Sequence, residues 1–397
     1  MQTSAPSASE PPQLGQNETV AVDIYFYFTM PAALGLEINI MKPAMDQTTG
    51  YLRIATEEAF APPELLARYR KLLDSGYDDP GFRSLWGFYS GTTPRATALA
   101  ERIQDLGELR LRDMDDTGIA MQILSLTAPG VQVFDAAEGT ALARSFNDLL
   151  ADAIRKHPDR FSGLAAIAPQ DPAGAAKELE RGVRQLGLKG AIINSHTRGE
   201  YLDDPKFWAI FEAAEHLDVP VYIHPTTPPK SMIAPFLERG LDSAIYGFAV
   251  ETGLHLLRIV VAGVFDRFPK LRIVAGHLGE GLPYWLFRVD FMHAAGVRAN
   301  RYASMQRLQK KPSEYIKENM WFTTSGMAWE PPILYAQSVL GVDRVLYAMD
   351  YPYQFVPEEV KVTDNLPISA VDKKKLYQTN AEQVFALHAA AMAHQNP

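Results

Sequence analysis

Short apolar runs alternate with longer amphipathic stretches along most of the chain. Eight of the runs are rich in β-forming residues, as expected of buried strands. They are Leu52–Ala59, Gly118–Thr127, Phe161–Ala168, Lys189–Ser195, Val219–His224, Leu271–His277, Trp321–Ser325 and Arg344–Asp350. Helical spacing marks the longer stretches Ala136–Lys156, Ala173–Leu186, Pro205–Leu217 and Phe248–Phe268. Strands alternating with helices predict an α/β fold with a parallel sheet, and eight repeats predict closure into a (β/α)8 TIM-type barrel.

The rest of the chain predicts extensions and insertions around this barrel. We expect the barrel domain to span residues 51–390, with helical insertions at 62–112, 225–246 and 291–318, because these connections exceed the usual length. The first insertion holds Trp86, Phe88 and Tyr89 next to Arg95, which predicts either the packing of a lid helix or substrate contact. An open, doubly wound sheet is the alternative fold, but no GxGxxG motif follows the first run.

The two ends of the chain differ in composition from its centre. Residues 1–50 predict a partly disordered N-terminal extension, since the first twenty have little to bury, and residues 391–397 predict a tail. The apolar residues 20–41 invite comparison with a signal peptide. However, no Lys or Arg precedes Lys42, and Asp23 interrupts the apolar run. We therefore expect a cytoplasmic protein.

Composition removes several classes of function. The net charge of −9 argues against binding to nucleic acid or to an anionic membrane. No window approaches 18 uninterrupted apolar residues, so a membrane span is not expected. The chain has no cysteine, which excludes disulfides, a thiolate metal site and a cysteine nucleophile.

Polar residues collect at the downstream ends of the apolar runs, which a barrel places together on its functional face. They are Glu57, Thr127, Gln170, Asn194, His196, His224, His277, Thr324, Ser325 and Asp350. The carboxylates of Glu57 and Asp350 and the imidazole of His224 are suitable ligands for a hard divalent ion such as Mn²⁺ or Zn²⁺. Each of these residues, like His277, has an ordinary structural alternative as a cap or a buried partner. Four of them at one barrel end predict a metal site.

Several segments carry a resemblance to a known family. From about Tyr51 to Leu387 the chain resembles the decarboxylase branch of the amidohydrolase superfamily, which contains aminocarboxymuconate semialdehyde decarboxylase and the γ-resorcylate decarboxylases. The matching segments are IATEEAF, PDRFSGLAAIAPQDP, YIHPTTPP, GHLGEGLPYW and YAMDYPYQ. Within this branch, the chain most closely resembles the 5-carboxyvanillate decarboxylases. The segments that carry this resemblance are EEAF, WGFY, INSHT and DYPYQ. The 5-carboxyvanillate decarboxylases share EEAF, and the other relatives have EEHF at that place.

The resemblance implies roles for individual residues. It implies a metal held by Glu57, His224 and Asp350, and catalytic roles for Asp350, His277 and Glu280. Five further residues would surround the substrate: Arg288 and Arg95 at its carboxylate or oxygen atoms, Tyr353 and Thr127 at the pocket wall, and His196 at a ring substituent. Ala59 stands where most relatives have a histidine ligand, so the site is harder and Mn²⁺ is favoured over Zn²⁺. Whether Glu58 shares the metal site is open.

The expected activity is metal-dependent, non-oxidative decarboxylation of an ortho-hydroxy aromatic acid. The resemblance favours the conversion of 5-carboxyvanillate to vanillate and CO2 in the catabolism of lignin-derived aromatics. Asp350 would take the phenol proton and pass it to the ring carbon. Decarboxylation of another hydroxybenzoate such as γ-resorcylate, hydrolysis of a lactone or ester, and a barrel with a decayed site are the alternatives. Relatives are often dimers or larger, so we expect a homo-oligomer, for which residues 291–318 are a candidate interface.

Overall fold

Parallel strands form a closed barrel in this computed structural model, which describes residues 50–387. The strands are β1 (Ile54–Phe60), β2 (Met121–Leu126), β3 (Phe161–Gly163), β4 (Ala165–Ala166), β5 (Ala191–Asn194), β6 (Val221–His224), β7 (Ile273–Ala275), β8 (Met320–Thr323) and β9 (Val345–Leu346). They pair in chain order, with every pair parallel. The predictions for residues 1–49 and for the 391–397 tail lie outside the described residues.

Backbone hydrogen bonds join the strands into one continuous wall. Only Leu164 separates β3 from β4, and its amide donates to the Leu124 carbonyl of β2, so β3 and β4 are one interrupted strand. At the other seam, the Thr56 amide of β1 donates to the carbonyl of Tyr347, the residue after β9, over 3.0 Å. The nine segments therefore make the eight strands of a (β/α)8 barrel, and the predicted fold class is confirmed.

Sixteen α-helices surround or cap this wall in the described part of the chain. They are α1 (Pro63–Asp74), α2 (Pro80–Tyr89), α3 (Pro94–Gln104), α4 (Glu108–Thr117), α5 (Ala136–Lys156), α6 (Pro172–Leu186), α7 (Trp208–Leu217), α8 (Ala234–Leu237), α9 (Gly247–Val261), α10 (Val264–Arg267), α11 (Leu282–Arg298), α12 (Pro312–Asn319), α13 (Glu330–Leu340), α14 (Glu358–Asp364), α15 (Ala370–Lys374) and α16 (Asn380–Val384). None of the helices in residues 50–387 has the length and apolar character needed to cross a membrane.

Local chemistry accounts for most of these boundaries. The Asp135 carboxylate accepts from the Glu138 amide and caps α5, whose bounds match the predicted helix. Gly187 ends α6 in the left-handed region at φ 75°, where glycine carries no Cβ penalty. The helix predicted over Phe248–Phe268 is interrupted, because Gly263 at φ 76° separates α9 from α10.

The three predicted insertions differ in structure. Residues 62–112 contain α1, α2, α3 and the start of α4, and residues 225–246 contain only the short α8. The third begins inside a regular element, since α11 is a continuous helix that runs to Arg298. Only the segment from residue 299 to α12 is an irregular connection there.

Candidate metal centre

Three predicted ligands meet at the carboxyl end of the barrel. Glu57 projects from β1, His224 is the last residue of β6, and Asp350 follows β9. One ligand atom from each of them lies within 4.8 Å of the other two. His224 Nε2 and Glu57 Oε1 are 3.4 Å apart. Two carboxylates and one imidazole are a donor set for a hard divalent ion, so the residues present fit the predicted metal.

The two carboxylate oxygens of Glu57 have different surroundings. Three hydroxyl groups donate to Oε2, from Tyr222, Thr323 and Ser325. Oε1 is buried and accepts no hydrogen bond from any residue that the structure describes. Burial would raise the pKa of Glu57, but the positive charge of His277 and the hydrogen bonds from Ser325 and Thr323 lower it overall. An ionised carboxylate with one free, buried oxygen is suited to a cation.

A glycine leaves room for this carboxylate. A Cβ at Gly276 would lie 2.7 Å from both oxygens of Glu57. No other residue type therefore fits between β7 and His277 without displacing Glu57.

His224 has the protonation state that a metal ligand requires. Its Nδ1 lies 2.7 Å from the Pro225 carbonyl oxygen, so Nδ1 carries the hydrogen and Nε2 keeps its lone pair. Burial lowers the pKa of His224, which keeps the ring neutral. Nε2 lies 3.4 Å from Glu57 Oε1, the oxygen that accepts no hydrogen bond from a described residue.

Asp350 is presented by an unusual backbone. Its φ is 72°, in the left-handed region that residues with a Cβ rarely adopt. Burial raises the pKa of Asp350 to about 8 in the absence of a cation, although the neighbouring His277 lowers it. A bound divalent ion would favour the ionised form.

His277 stands between these two acids and a third carboxylate. Its Nδ1 lies 2.7 Å from Glu280 Oε1, and its Nε2 lies 4.0 Å from Glu57 Oε1 and 4.0 Å from Asp350 Oδ2. Burial would lower the pKa of His277, but the charges of Glu280 and Glu57 raise it to about 10. In the metal-free protein His277 is therefore protonated at neutral pH, with an N–H facing the candidate metal ligands.

The predicted pocket wall lies beside Asp350. Tyr353 Oη and Thr127 Oγ1 are 2.5 Å apart, and the Arg95 guanidinium donates to the Tyr353 carbonyl over 3.3 Å. The Tyr89 ring packs edge-on against the Tyr353 ring, with 5.2 Å between the ring centres. The Tyr89 hydroxyl is hydrogen-bonded to the Arg95 side chain. Tyr89 therefore belongs to this wall. Its neighbour Trp86 is buried and donates to the Ala128 carbonyl. Trp86 therefore packs inside the protein, which was the alternative to substrate contact for this aromatic cluster.

Two further predicted substrate residues have different surroundings. Both ring nitrogens of His196 are used within the protein: Nε2 lies 3.0 Å from the Thr227 carbonyl oxygen, and Nδ1 accepts from the Gly199 amide. Only its ring carbons are left for a ring substituent. Arg288 is exposed on α11, in a groove of about 610 Å³ that also includes Glu280 and Trp285.

Two members of the centre, Tyr222 and Thr323, were not predicted from the sequence. Tyr222 stands two residues before His224 on β6, so both side chains face the barrel interior. That spacing was a usable signal, because an inward tyrosine beside a ligand needs a partner for its hydroxyl.

Known proteins are similar to this chain in sequence and fold. The chain is 37% identical over 298 residues to γ-resorcylate decarboxylase from a Polaromonas species, covering 73% of this chain and 90% of that protein. It is 55% identical to the crystal structure of 5-carboxyvanillate decarboxylase from Novosphingobium aromaticivorans, solved with manganese and 4-hydroxy-3-methoxy-5-nitrobenzoic acid. That comparison has a TM-score of 0.84 and covers 85% of this chain and 97% of the other.

A second 5-carboxyvanillate decarboxylase structure, from Sphingomonas paucimobilis, is 40% identical, with a TM-score of 0.80 over 85% of this chain and 99% of that one. The sequence profile of the amidohydrolase family matches residues 77–387. The predicted resemblance is thereby confirmed, and the chain belongs to the amidohydrolase family.

Proposed function

We propose that this protein is a metal-dependent carboxy-lyase that converts 5-carboxyvanillate to vanillate and CO2 in the breakdown of lignin-derived aromatic compounds. One observation carries the proposal. The group Glu57, His224 and Asp350 occurs in a chain 55% identical to a manganese-containing 5-carboxyvanillate decarboxylase. The aromatic acid in that structure carries a planar nitro group next to its hydroxyl. A carboxylate of similar shape occupies the same ring position in 5-carboxyvanillate.

The proposed cofactor is one divalent ion, Mn²⁺ in preference to Zn²⁺. Glu57, His224 and Asp350 would hold it, and Ala59 supplies no nitrogen ligand. When bound, the ion supplies positive charge that acidifies a neighbouring phenol and balances the buried carboxylates. Carboxylate-rich sites with few nitrogen ligands suit Mn²⁺.

Asp350 moves the proton in this proposal. Its carboxylate accepts the proton of the substrate hydroxyl and delivers it to the ring carbon that bears the neighbouring carboxylate. The bond between that carbon and the carboxylate then breaks, the electron pair returns to the ring, and CO2 leaves. The product phenolate regains its proton from solvent. Protonating the carbon before the bond breaks avoids a free ring carbanion.

The other side chains hold and orient charge. The cationic His277, paired with Glu280, faces Asp350 Oδ2 at 4.0 Å and stabilises negative charge that develops beside it. Arg95 and Arg288 are assigned to substrate carboxylate or oxygen atoms, for which the guanidinium group offers paired donors. Tyr353 and Thr127 form the wall beside the ring, and we assign the ring carbons of His196 to the edge of the same pocket.

The assay follows 5-carboxyvanillate directly. Metal-free protein is reloaded with Mn²⁺, and loss of substrate absorbance is recorded together with released CO2; chelator-treated protein and γ-resorcylate serve as the comparisons. We expect turnover of 5-carboxyvanillate, less with γ-resorcylate, and none after chelation. Absence of turnover together with hydrolysis of a lactone would overturn the proposal in favour of hydrolase chemistry.

We also propose that the enzyme acts as a homo-oligomer, most simply a dimer. The side chains of Phe287 and Tyr284 on α11 are 85% and 72% exposed, and Trp285, Phe291 and Met292 on the same helix are also exposed. An apolar surface of this kind marks an interaction site. We propose that a second copy of this chain covers this face of α11. The proposed location of the protein is the cytoplasm.

A further inference from the structure

Glu57 and Glu58 are neighbours in β1, but they face different parts of the structure. Successive side chains of a strand point to opposite faces. Glu58 is completely buried, and it is not one of the residues whose atoms converge on the candidate metal position. Its Oε1 accepts from the Met349 amide over 2.9 Å, and its Oε2 accepts from the Tyr351 amide over 3.0 Å. These two amides flank Asp350.

The backbone held by Glu58 lies beyond the last strand of the barrel. Strand β9 ends at Leu346, and Asp350 itself adopts φ 72°. A residue with a Cβ stays in this region only where its surroundings impose the conformation. The buried amides on either side of Asp350 would have no acceptor without Glu58, since a buried N–H is almost always paired.

Strand β1 holds the whole segment from Tyr347 to Tyr351. The Thr56 amide donates to the Tyr347 carbonyl, and the Ala59 amide donates to the Tyr351 carbonyl over 2.7 Å. The Glu58 carboxyl adds its two bonds between these points. The segment that carries Asp350 is thereby attached directly to the strand that carries Glu57.

A buried cation supports this attachment from the outer side of the barrel. The Arg110 guanidinium is fully buried, donates to the Ala59 carbonyl over 2.8 Å and lies 4.6 Å from the centre of the Tyr351 ring. Its positive charge is near Glu58 and acts on that carboxyl. Arg110 therefore helps to hold both ends of the contact between β1 and the Asp350 segment.

We propose that Glu58 is a positioning residue for Asp350. By accepting from the amides of Met349 and Tyr351, its carboxyl sets the backbone between them and so the place of the Asp350 carboxylate relative to Glu57 and His224. Consecutive glutamates thus have separate tasks: Glu57 presents a ligand itself, and Glu58 fixes a ligand that is distant in sequence. This inference rests on the proposed role of Asp350 in the metal centre.

The test compares Glu58→Gln with a matched control. Glutamine keeps the size of the side chain but places an NH2 group against one of the two amides. Glu178→Gln is the control, because Glu178 is also a buried glutamate that accepts hydrogen bonds, from Asn147 and Arg181 on the outer layer. Glu58→Asp, which keeps the carboxyl group but is too short to reach both amides, replaces Glu58→Gln if the latter does not fold.

Two measurements need no substrate. In the metal-free protein we expect amide hydrogen exchange of peptides covering residues 345–355 to be about tenfold faster or more in Glu58→Gln, since the flanking amides lose an acceptor. In titrations with Mn²⁺ we expect binding about 10- to 100-fold weaker than in the wild type, as for other residues that orient a ligand. Glu178→Gln should leave both measurements unchanged even if its melting temperature falls.

Turnover at saturating Mn²⁺ is a third readout, with a lower kcat and a smaller change in KM as the expected result. The inference would be overturned if folded Glu58→Gln had the wild-type rate of amide hydrogen exchange at residues 345–355. It would also be overturned if this variant bound Mn²⁺ with wild-type affinity. Because exchange and Mn²⁺ binding involve no substrate, a wrong substrate assignment would leave their result intact. Wild-type protein that decarboxylates 5-carboxyvanillate while Glu58→Gln binds Mn²⁺ normally would overturn only this inference.

Discussion

His277 and Glu280 form a half-buried ion pair in which Nδ1 and Oε1 lie 2.7 Å apart. Burial disfavours the imidazolium, but Glu280 and Glu57 raise the pKa of His277 to about 10 in the metal-free protein. A bound cation lowers this pKa, and removing the Glu280 charge lowers it further. If the protonated ring is the active form, the alkaline limb of the rate profile reports its pKa.

Glu280→Gln should therefore move the alkaline limb of kcat/KM to lower pH by about one unit or more, the usual effect of one neighbouring charge. The measurement is the pH dependence of kcat/KM at saturating Mn²⁺. Glu318→Gln, which removes the acid of an exposed pair with Lys310, is the control and should leave the profile in place. An unshifted limb in Glu280→Gln would show that this ion pair does not set the working pH.

Replacing Asp350 with asparagine should nearly abolish turnover and leave the fold intact. Asparagine has almost the same shape but cannot carry the proton, and general acid–base steps contribute about 10²- to 10⁴-fold to rates. Single-turnover rates at saturating Mn²⁺, with a circular dichroism melt for the fold, provide the measurement. A near-normal rate would remove Asp350 from the proton path.

Position 59 should control the choice of metal. Ala59 is buried two residues after Glu57 on β1, where an imidazole would add a nitrogen ligand. Ala59→His should shift the bound metal towards Zn²⁺ when apoprotein is offered equal Mn²⁺ and Zn²⁺, because nitrogen ligands suit Zn²⁺ better. Metal content after dialysis is the readout. The same Mn²⁺ to Zn²⁺ ratio in variant and wild type would contradict this role.

Glu251 should make stability depend on pH. This residue of α9 is fully buried, and burial raises its pKa to about 8 from an ordinary value of 4.5. Between these values the unfolded chain has lost the proton while the folded protein still holds it, so the free energy of unfolding falls as pH rises. Glu58, with a pKa also raised to about 8 by burial, adds to the same trend.

A glutamine side chain cannot ionise, so Glu251→Gln removes the contribution of this residue to the pH dependence of the free energy of unfolding. Relative to wild type, its free energy of unfolding should rise with pH between 5 and 8, by at most about 1.4 kcal/mol per pH unit for one proton. Chemical denaturation of both metal-free proteins across that range is the test. Two curves with the same slope would mean that Glu251 is ionised in the folded state.

The exposed face of α11 should mediate self-association. Phe287→Asp places a charge on its most exposed aromatic position and should weaken association at least 100-fold, because a buried unpaired charge is costly. Sedimentation velocity over a range of concentrations measures this effect. Val371→Asp on α15 is the control, since Val371 is also an exposed apolar residue but lies on a different helix. A monomeric wild type, or an oligomer that survives Phe287→Asp, would exclude this surface.

Much of this architecture could be predicted from the order of residues alone. Barrel strands are short and apolar, and their carboxyl ends share one face, so a polar residue at the end of a run is placed near the others without any knowledge of distances. That reasoning brought Glu57, His224 and Asp350 to one place, and the structure puts their ligand atoms within 4.8 Å. Their roles as ligands stay a prediction.

Other features depend on closure of the barrel. Whether Glu58 enters the metal site could not be read locally, because its partners at Met349 and Tyr351 are about 290 residues away in the chain. Likewise, the Thr227 carbonyl that engages His196 belongs to a different loop of the barrel. Periodicity determines which residues end a strand. Only the tertiary structure decides which polar groups are paired, since each buried donor or acceptor takes the partner that the closed barrel brings to it.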